Sequence, residues 1–476
     1  MMIMYIVVNN EYNFSTETNL SSENSFEMKM LLSTTDKDDY DDENQKGIEK
    51  ERYQLIFSTD CSPFQHWQSY LLFHSAFSVH QPGTITRIAS GCSEEQAEAE
   101  KAWHQKHVTE IFGENFLLHL TPEFKNVKDK DGHSNDDDDN GDDDDDDDDD
   151  KDDKKDGIDY KYFNKPFGVK HWIENAIGFR KNGKEKTGIL NNEDDIVILI
   201  DPDMILLRPI TGDFSNSKDV IFTQKNRNRT TFKVAHGSPF AQKYLLGYYW
   251  QEMNLDKITE DPNSAAKSVN KQDGLLFYQV GPPYIATMKD MYQIVLKWTT
   301  YAPRVYAQYP ELLAEMYAYC IAAADLKLPH TLVESLMVSN IDASGEGWPM
   351  VDALETDGIC QSSKHLVTGD QSMQAHSVPS VIHFCQRYFL AHWFFSKYQH
   401  STNIFECNAP LFEEPPGSLN VTQINWAITP DQSRHKLDPL EAKRYAFVIC
   451  ALSAAVNAAN TFFQKEHCKT TQKEIE

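Results

Sequence analysis

From Tyr53 onward the chain alternates short β-branched runs with longer stretches whose apolar residues recur at helical spacing. YQLIFSTDCS reads as a strand ending in Ser58-Thr59-Asp60, and HWQSYLLFHSAF as the helix after it, with Asp60 or Ser62 available as cap. GTITRIAS is a second strand and AEAEKAWHQKHVTEIFG a second helix. FNKPFGVKHWIENA follows as a helix entered through Pro166. The run Ile196 to Ile200, bounded by acids on both sides, predicts a strand buried on both faces, as in a parallel sheet. KDVIFTQ predicts one more strand. This β-α-β-α-β alternation predicts an α/β fold, a mostly parallel twisted sheet with helices on both faces and right-handed crossovers. YAFVICALSAAVNAANTFF, interrupted by Asn457 and Asn460, predicts an amphipathic helix that closes the domain rather than a membrane span.

The strand from Ile196 runs into Asp201-Pro202-Asp203. A proline cannot donate to a central ladder, so Pro202 ends the strand and leaves two carboxylates at its carboxyl end. In open α/β sheets that edge carries the ligand crevice. Paired carboxylates there suit a hard divalent cation that also holds phosphate oxygens; a solvated strand-to-loop junction is the plainer reading of the same motif.

Composition changes the picture mainly through charge. The 476 residues carry a net charge of −28, and the segment 129–159 holds 19 Asp against 4 Lys, a net of −15. Such a block repels itself and buries no core, which predicts a disordered insertion. The remainder has no basic stripe with interleaved aromatics, so nucleic acid is not an expected partner. Residues 1–50, rich in Asn, Ser, Glu and Asp, read as a disordered leader. Their opening MMIMYIVV is too short for a span, leaving membrane association to a targeting segment not evident here. The eight cysteines show no C-x-x-C spacing, which argues against zinc or dithiol redox motifs. Their even number, with the sequons at Asn228 and Asn420, is compatible with the secretory pathway.

Six ordered blocks, FSTDCSPFQHWQSYLLFHSAFSVHQPGTITRIASGC, YFNKPFGVKHWIE, DPDMILLRPI, QVGPPYIA, EMYAYCIAAADL and VIHFCQRY, resemble the plant and algal peptidyl serine α-galactosyltransferases. More distantly they resemble hydroxyproline O-arabinosyltransferases. The resemblance implies a GT-A fold over residues 51–470 with a carboxyl-terminal helical extension. It also implies a UDP-galactose donor, Mn2+ or Mg2+ at the D-x-D motif, a serine- and hydroxyproline-rich polypeptide acceptor, and a place in the endoplasmic reticulum or Golgi lumen.

Site expectations follow from both sources. Asp203 is the better direct metal ligand, and Asp201 serves the ribose, a metal-bound water or the metal itself. His383, which follows the apolar pair Val381-Ile382, completes the metal shell. Thr59 and Asp60, at a strand end, face the nucleotide. Arg87 either pairs with a phosphate through its planar fork or holds a structural carboxylate. Lys165 and Lys170 either approach the diphosphate or snorkel on their helix. Gly281, in Gly281-Pro282-Pro283, makes a rigid turn near the sugar pocket. Glu315 or Asp273 acts on the acceptor hydroxyl if transfer inverts, and positions substrate if it retains. Two rival classes remain: an aspartate-dependent phosphatase, against which Met204 after the second Asp counts, and a non-catalytic glycan-binding protein.

Overall fold

Alternate residues of a strand face opposite sides of its sheet, and in the first strand of this protein both sides are apolar. β1 (Tyr53–Asp60) turns Leu55 and Phe57 to one core and Ile56 to another, all fully buried. The structure is a computed structural model. It describes residues 52–124, 160–178, 192–216, 218–223, 231–368, 377–399, 406–429 and 433–468. The expected leader, the Asp-rich insertion and the sequon at Asn228 lie outside the described residues.

Ten strands build the site: β1, β2 (Thr84–Ser90), β3 (Phe116–Thr121), β4 (Ile196–Ile200), β5 (Met204–Leu206), β6 (Phe240–Lys243), β7 (Val280–Thr287), β8 (Thr331–Val333), β9 (Met337–Val338) and β10 (Val381–His383). Among the described residues, seven of them form one sheet in the order β3-β2-β1-β4-β7-β6-β8. β1, β2, β3 and β4 are mutually parallel, while β7 runs antiparallel to both β4 and β6. The sheet is therefore mostly parallel, as expected. Strand order reverses between β1 and β4, which makes the carboxyl edge there a topological switch point.

Six helices matter here: α1 (Pro63–Ser78), α2 (Glu94–His104), α3 (Asn164–Trp172), α4 (Met288–Tyr306), α5 (Ala314–Asp325) and α6 (Pro439–His467). Local side-chain chemistry marks the start of three of them. Asp60 Oδ1 accepts from the backbone N–H and the hydroxyl of Ser62 just ahead of Pro63. Ser93 and Gln96 form a capping box on α2, and Asp438 and Glu441 one on α6. The sheet separates two cores. One packs α1 and α6 against Leu55, Phe57, Ile196, Ile198 and Ile200; the other packs α3, α4 and α5 against Ile56, Val197 and Leu199. The strand leading to Asp201 is thus buried on both faces, as its composition requires.

Three expectations need correction, and one strand was unforeseen. KDVIFTQ forms no strand among its described residues: Arg208, Ser335 and Ser377 hold the backbone and side chain of Asp219 and the Ile221 N–H, leaving one bridge, Phe222 to Val333. Gly281-Pro282-Pro283 is not a turn but part of β7. It begins where the β6 ladder shifts register, beyond the last β4 pair at Tyr284, so the prolines cost few ladder bonds. The strand β3, FLLHLT, stands in no expected element. Finally, α6 is not amphipathic. It is long and apolar enough to cross a membrane, yet 83% of its most apolar window is buried inside the fold. Asn457 faces inward, exchanging hydrogen bonds with the backbone of Phe412. Disulfides Cys360–Cys450 and Cys407–Cys468 tie this helix to the preceding chain, and Cys61–Cys92 joins the ends of β1 and β2.

Candidate active site and metal centre

The acids are aimed by a change of sheet. β4 ends at Ile200, Asp201-Pro202-Asp203 turns, and β5 leaves the large sheet to pair antiparallel with β10. In that register His383 stands opposite Met204, and the Phe384 N–H donates to the Asp203 carbonyl at 2.9 Å. Asp203, just ahead of β5, is thereby fixed beside His383 at the end of β10. His383 Nε2 lies 3.2 Å from Asp203 Oδ1 and 4.0 Å from Asp201 Oδ2.

Two lysines hold the acids from outside. Lys165, in the first turn of α3, donates to Asp201 Oδ1 at 2.9 Å and to Glu315 Oε1 at 2.7 Å. Lys397 donates to Asp203 Oδ2 at 2.7 Å. Burial would raise the Asp203 carboxyl, but the charges and hydrogen bonds of His383 and Lys397 outweigh it and hold it well below the usual range. Burial would likewise lower the Lys165 ammonium, and Asp201 and Glu315 outweigh it and raise it. Glu315 sits in the first turn of α5, where the helix dipole favours an anion. Its Oε2 is buried with no hydrogen-bond partner among the described residues, and burial pushes its pKa up despite Lys165.

Asp201, Asp203 and His383 each offer a ligand atom, all within 4.8 Å of one another. Two ligands at right angles on bonds of ~2.1 Å lie ~3 Å apart, so the observed spacings suit one small cation. Two hard carboxylates with one imidazole fit Mn2+ or Mg2+. The donor set therefore fits the ion that the sequence blocks imply.

Of the other expected residues, Asp60 and Gly281 stand at the same sheet edge. Gly281 is required by packing: a Cβ there would lie 2.3 Å from the Tyr244 ring, and Tyr244 feels the charges of Asp201 and Asp203. Arg87 is not a phosphate ligand. It is fully buried, and its guanidinium donates to Glu100, Thr59 Oγ1 and the Asp60 carbonyl. Thr59 is buried as Arg87's acceptor, so it does not face a nucleotide either. Lys170 pairs with Glu174, four residues on in the turn that continues α3. Asp273 is half-buried in the first turn of the helix Lys271–Phe277, where its backbone N–H donates to the side chain of the cap, Asn270, and its carboxylate accepts from the Asn270 amide. Neither joins the cluster. Sequence reasoning missed Lys397, which no motif marks, and Glu346, whose carboxylate near His383 accepts from the backbone and hydroxyl of Ser339.

No family model matches the chain. Over 394 residues, 81% of its length, it is 23% identical to the peptidyl serine alpha-galactosyltransferase of Arabidopsis thaliana. The chain is similar to that enzyme. It spans 36% of the length of that relative. Among solved structures, the bifunctional glycosyltransferase WbbM overlaps 72% of this chain and 47% of its own, at 9% identity and TM-score 0.33. The galactosyltransferase LgtC, in complex with donor and acceptor sugar analogues, overlaps 70% of this chain and 87% of its own, at 11% identity and TM-score 0.29. The mostly parallel sheet flanked by helices on both faces, with the acid pair at its switch point, is the α/β architecture expected from the sequence.

Proposed function

We propose that the protein is a metal-dependent glycosyltransferase that moves galactose from UDP-galactose to serine hydroxyls of hydroxyproline-rich secretory proteins. The observation that carries the reading is the Asp201, Asp203 and His383 cluster at the switch point of a sheet whose sequence is similar to a peptidyl serine galactosyltransferase. Asp201, Asp203 and His383 would hold the ion, which when bound neutralises the charge that develops on a departing diphosphate.

The chain's own groups do the rest. Lys165 and Lys397 are positive charges fixed at the two ends of the acid pair and would be suited to hold diphosphate oxygens beside it. Glu315, buried and joined to Asp201 through Lys165, is the acid that would stabilise the positive charge developing at the sugar's anomeric carbon. Transfer with retention fits this arrangement, because the departing phosphate can take the acceptor proton and Glu315 need only stabilise and position. Three disulfides support passage through an oxidising compartment, in keeping with the endoplasmic reticulum or Golgi lumen.

The test is a screen of UDP-sugars against Ser-containing and hydroxyproline-containing peptides, read by mass spectrometry. Galactose on serine supports the proposal. Pentose on hydroxyproline moves the protein to arabinosyl transfer on the same fold, and turnover with no UDP-sugar removes the transferase reading.

A further inference from the structure

The sequon Asn420-Val421-Thr422 serves neither the cluster of acids nor either lysine. Its three side chains divide sharply. Val421 is 1% exposed and packs in the core with α6, while Asn420 and Thr422 face solvent. The segment is a short turn held by its backbone: Leu419 N–H donates to Pro416, Gln423 N–H to Asn420 and Ile424 N–H to Val421. The Asn420 side chain caps nothing. Its Oδ1 accepts the Thr422 hydroxyl at 2.6 Å, and its amide nitrogen has no hydrogen-bond partner among the described residues. The segment also lies between Cys407 and Cys450, each held in a disulfide. An exposed asparagine with an uncommitted amide nitrogen, its hydroxyl residue bound to the same side chain, in a disulfide-tied surface loop, presents what an N-glycan acceptor must present.

We propose that Asn420 carries an N-linked oligosaccharide. In the transfer, the Asn420 Nδ2 loses a proton and forms a bond to the anomeric carbon of a lipid-linked oligosaccharide. The sugar's bond to the lipid diphosphate breaks, and the lipid diphosphate leaves with that electron pair; the host's oligosaccharyl transferase supplies donor and base. Core packing is untouched, because the residue between the two polar ones is the one the fold buries. This rests on the luminal location proposed above and not on the identity of the sugar transferred by the active site.

The full chain, directed into the lumen of a glycosylating eukaryotic host by a cleavable signal, is digested with peptide-N-glycosidase in 18O water and mapped by mass spectrometry. The expected result is conversion of Asn420 to 18O-labelled aspartate. Asn420→Gln and Thr422→Ala should each abolish that conversion and leave metal-dependent turnover at the wild-type level. An unmodified Asn420 amide, in protein whose Cys360–Cys450 and Cys407–Cys468 bridges have formed, would overturn the proposal. Loss of sugar transfer in otherwise glycosylated protein would instead count against the active-site reading alone.

Discussion

Lys165 bridges two carboxylates, Asp201 and Glu315, with side chains only 13%, 17% and 4% exposed. Removing the shared cation leaves two acids in a poorly solvated place, so Lys165→Met should destabilise the fold by about 3–5 kcal/mol, measured by denaturant titration. Adding Glu315→Gln should restore part of that loss, because the deeper acid no longer needs a partner. A Lys165→Met protein as stable as wild type would show that the bridge does not hold α3 to α5. Gly281 offers a second test at this scale. A methyl group there meets the Tyr244 ring at 2.3 Å, so Gly281→Ala should cost about 1–3 kcal/mol and weaken donor binding by displacing Tyr244. Unchanged melting would mean the ring moves freely.

Between elements, the buried Arg87 ties β2 to the end of β1 and to α2. Burial would raise Glu100, but the hydrogen bond from His66 and the charge of Arg87 hold its carboxyl below the usual range. Arg87→Met should therefore behave as a folding defect: a loss of about 3–5 kcal/mol with the donor KM of the folded fraction unchanged. A selective rise in donor KM at wild-type stability would return Arg87 to the phosphate. The same residue shows where sequence stops being informative. A buried arginine and a ligand-binding one look the same within a strand sequence, and only the arrival of Glu100 from the next helix separates them. Asp201 and His383 stood out because one follows and the other ends an apolar run, and Asp203 because it lies two residues past the same strand; their meeting depends on the pairing of β5 with β10. Lys397 was not, because it reaches Asp203 only through the folding of the chain beyond β10. β7 was hidden by its prolines, which read as a turn until the register shift of β6 accommodates them.

At the scale of the whole molecule, buried histidines set the acid limit. Burial holds His74, His104 and His330 at about 4, against 6.5 when unfolded. Between those values the unfolded chain binds more protons than the folded one, so stability is present above about 6.5 and is lost as pH falls toward about 4. Melting temperature measured across this window should decline steadily. His330→Gln should flatten the decline if it preserves the contact with Tyr319. A melting temperature constant from pH 6.5 to 4 would show that these groups are solvated in the fold.

The central claim is that Asp203 and His383 hold one ion that serves the leaving diphosphate, and metal-dependent transfer from UDP-galactose to a serine peptide tests it most directly. EDTA should abolish transfer and Mn2+ restore it, and Asp203→Ala should lower the rate by ~100- to 1,000-fold without unfolding the protein. His383→Ala should weaken Mn2+ affinity by ~10- to 100-fold, and the double variant should be little worse than Asp203→Ala alone, since both act through one site. Transfer undiminished in excess EDTA, or an Asp203→Ala protein working near the wild-type rate, would contradict it.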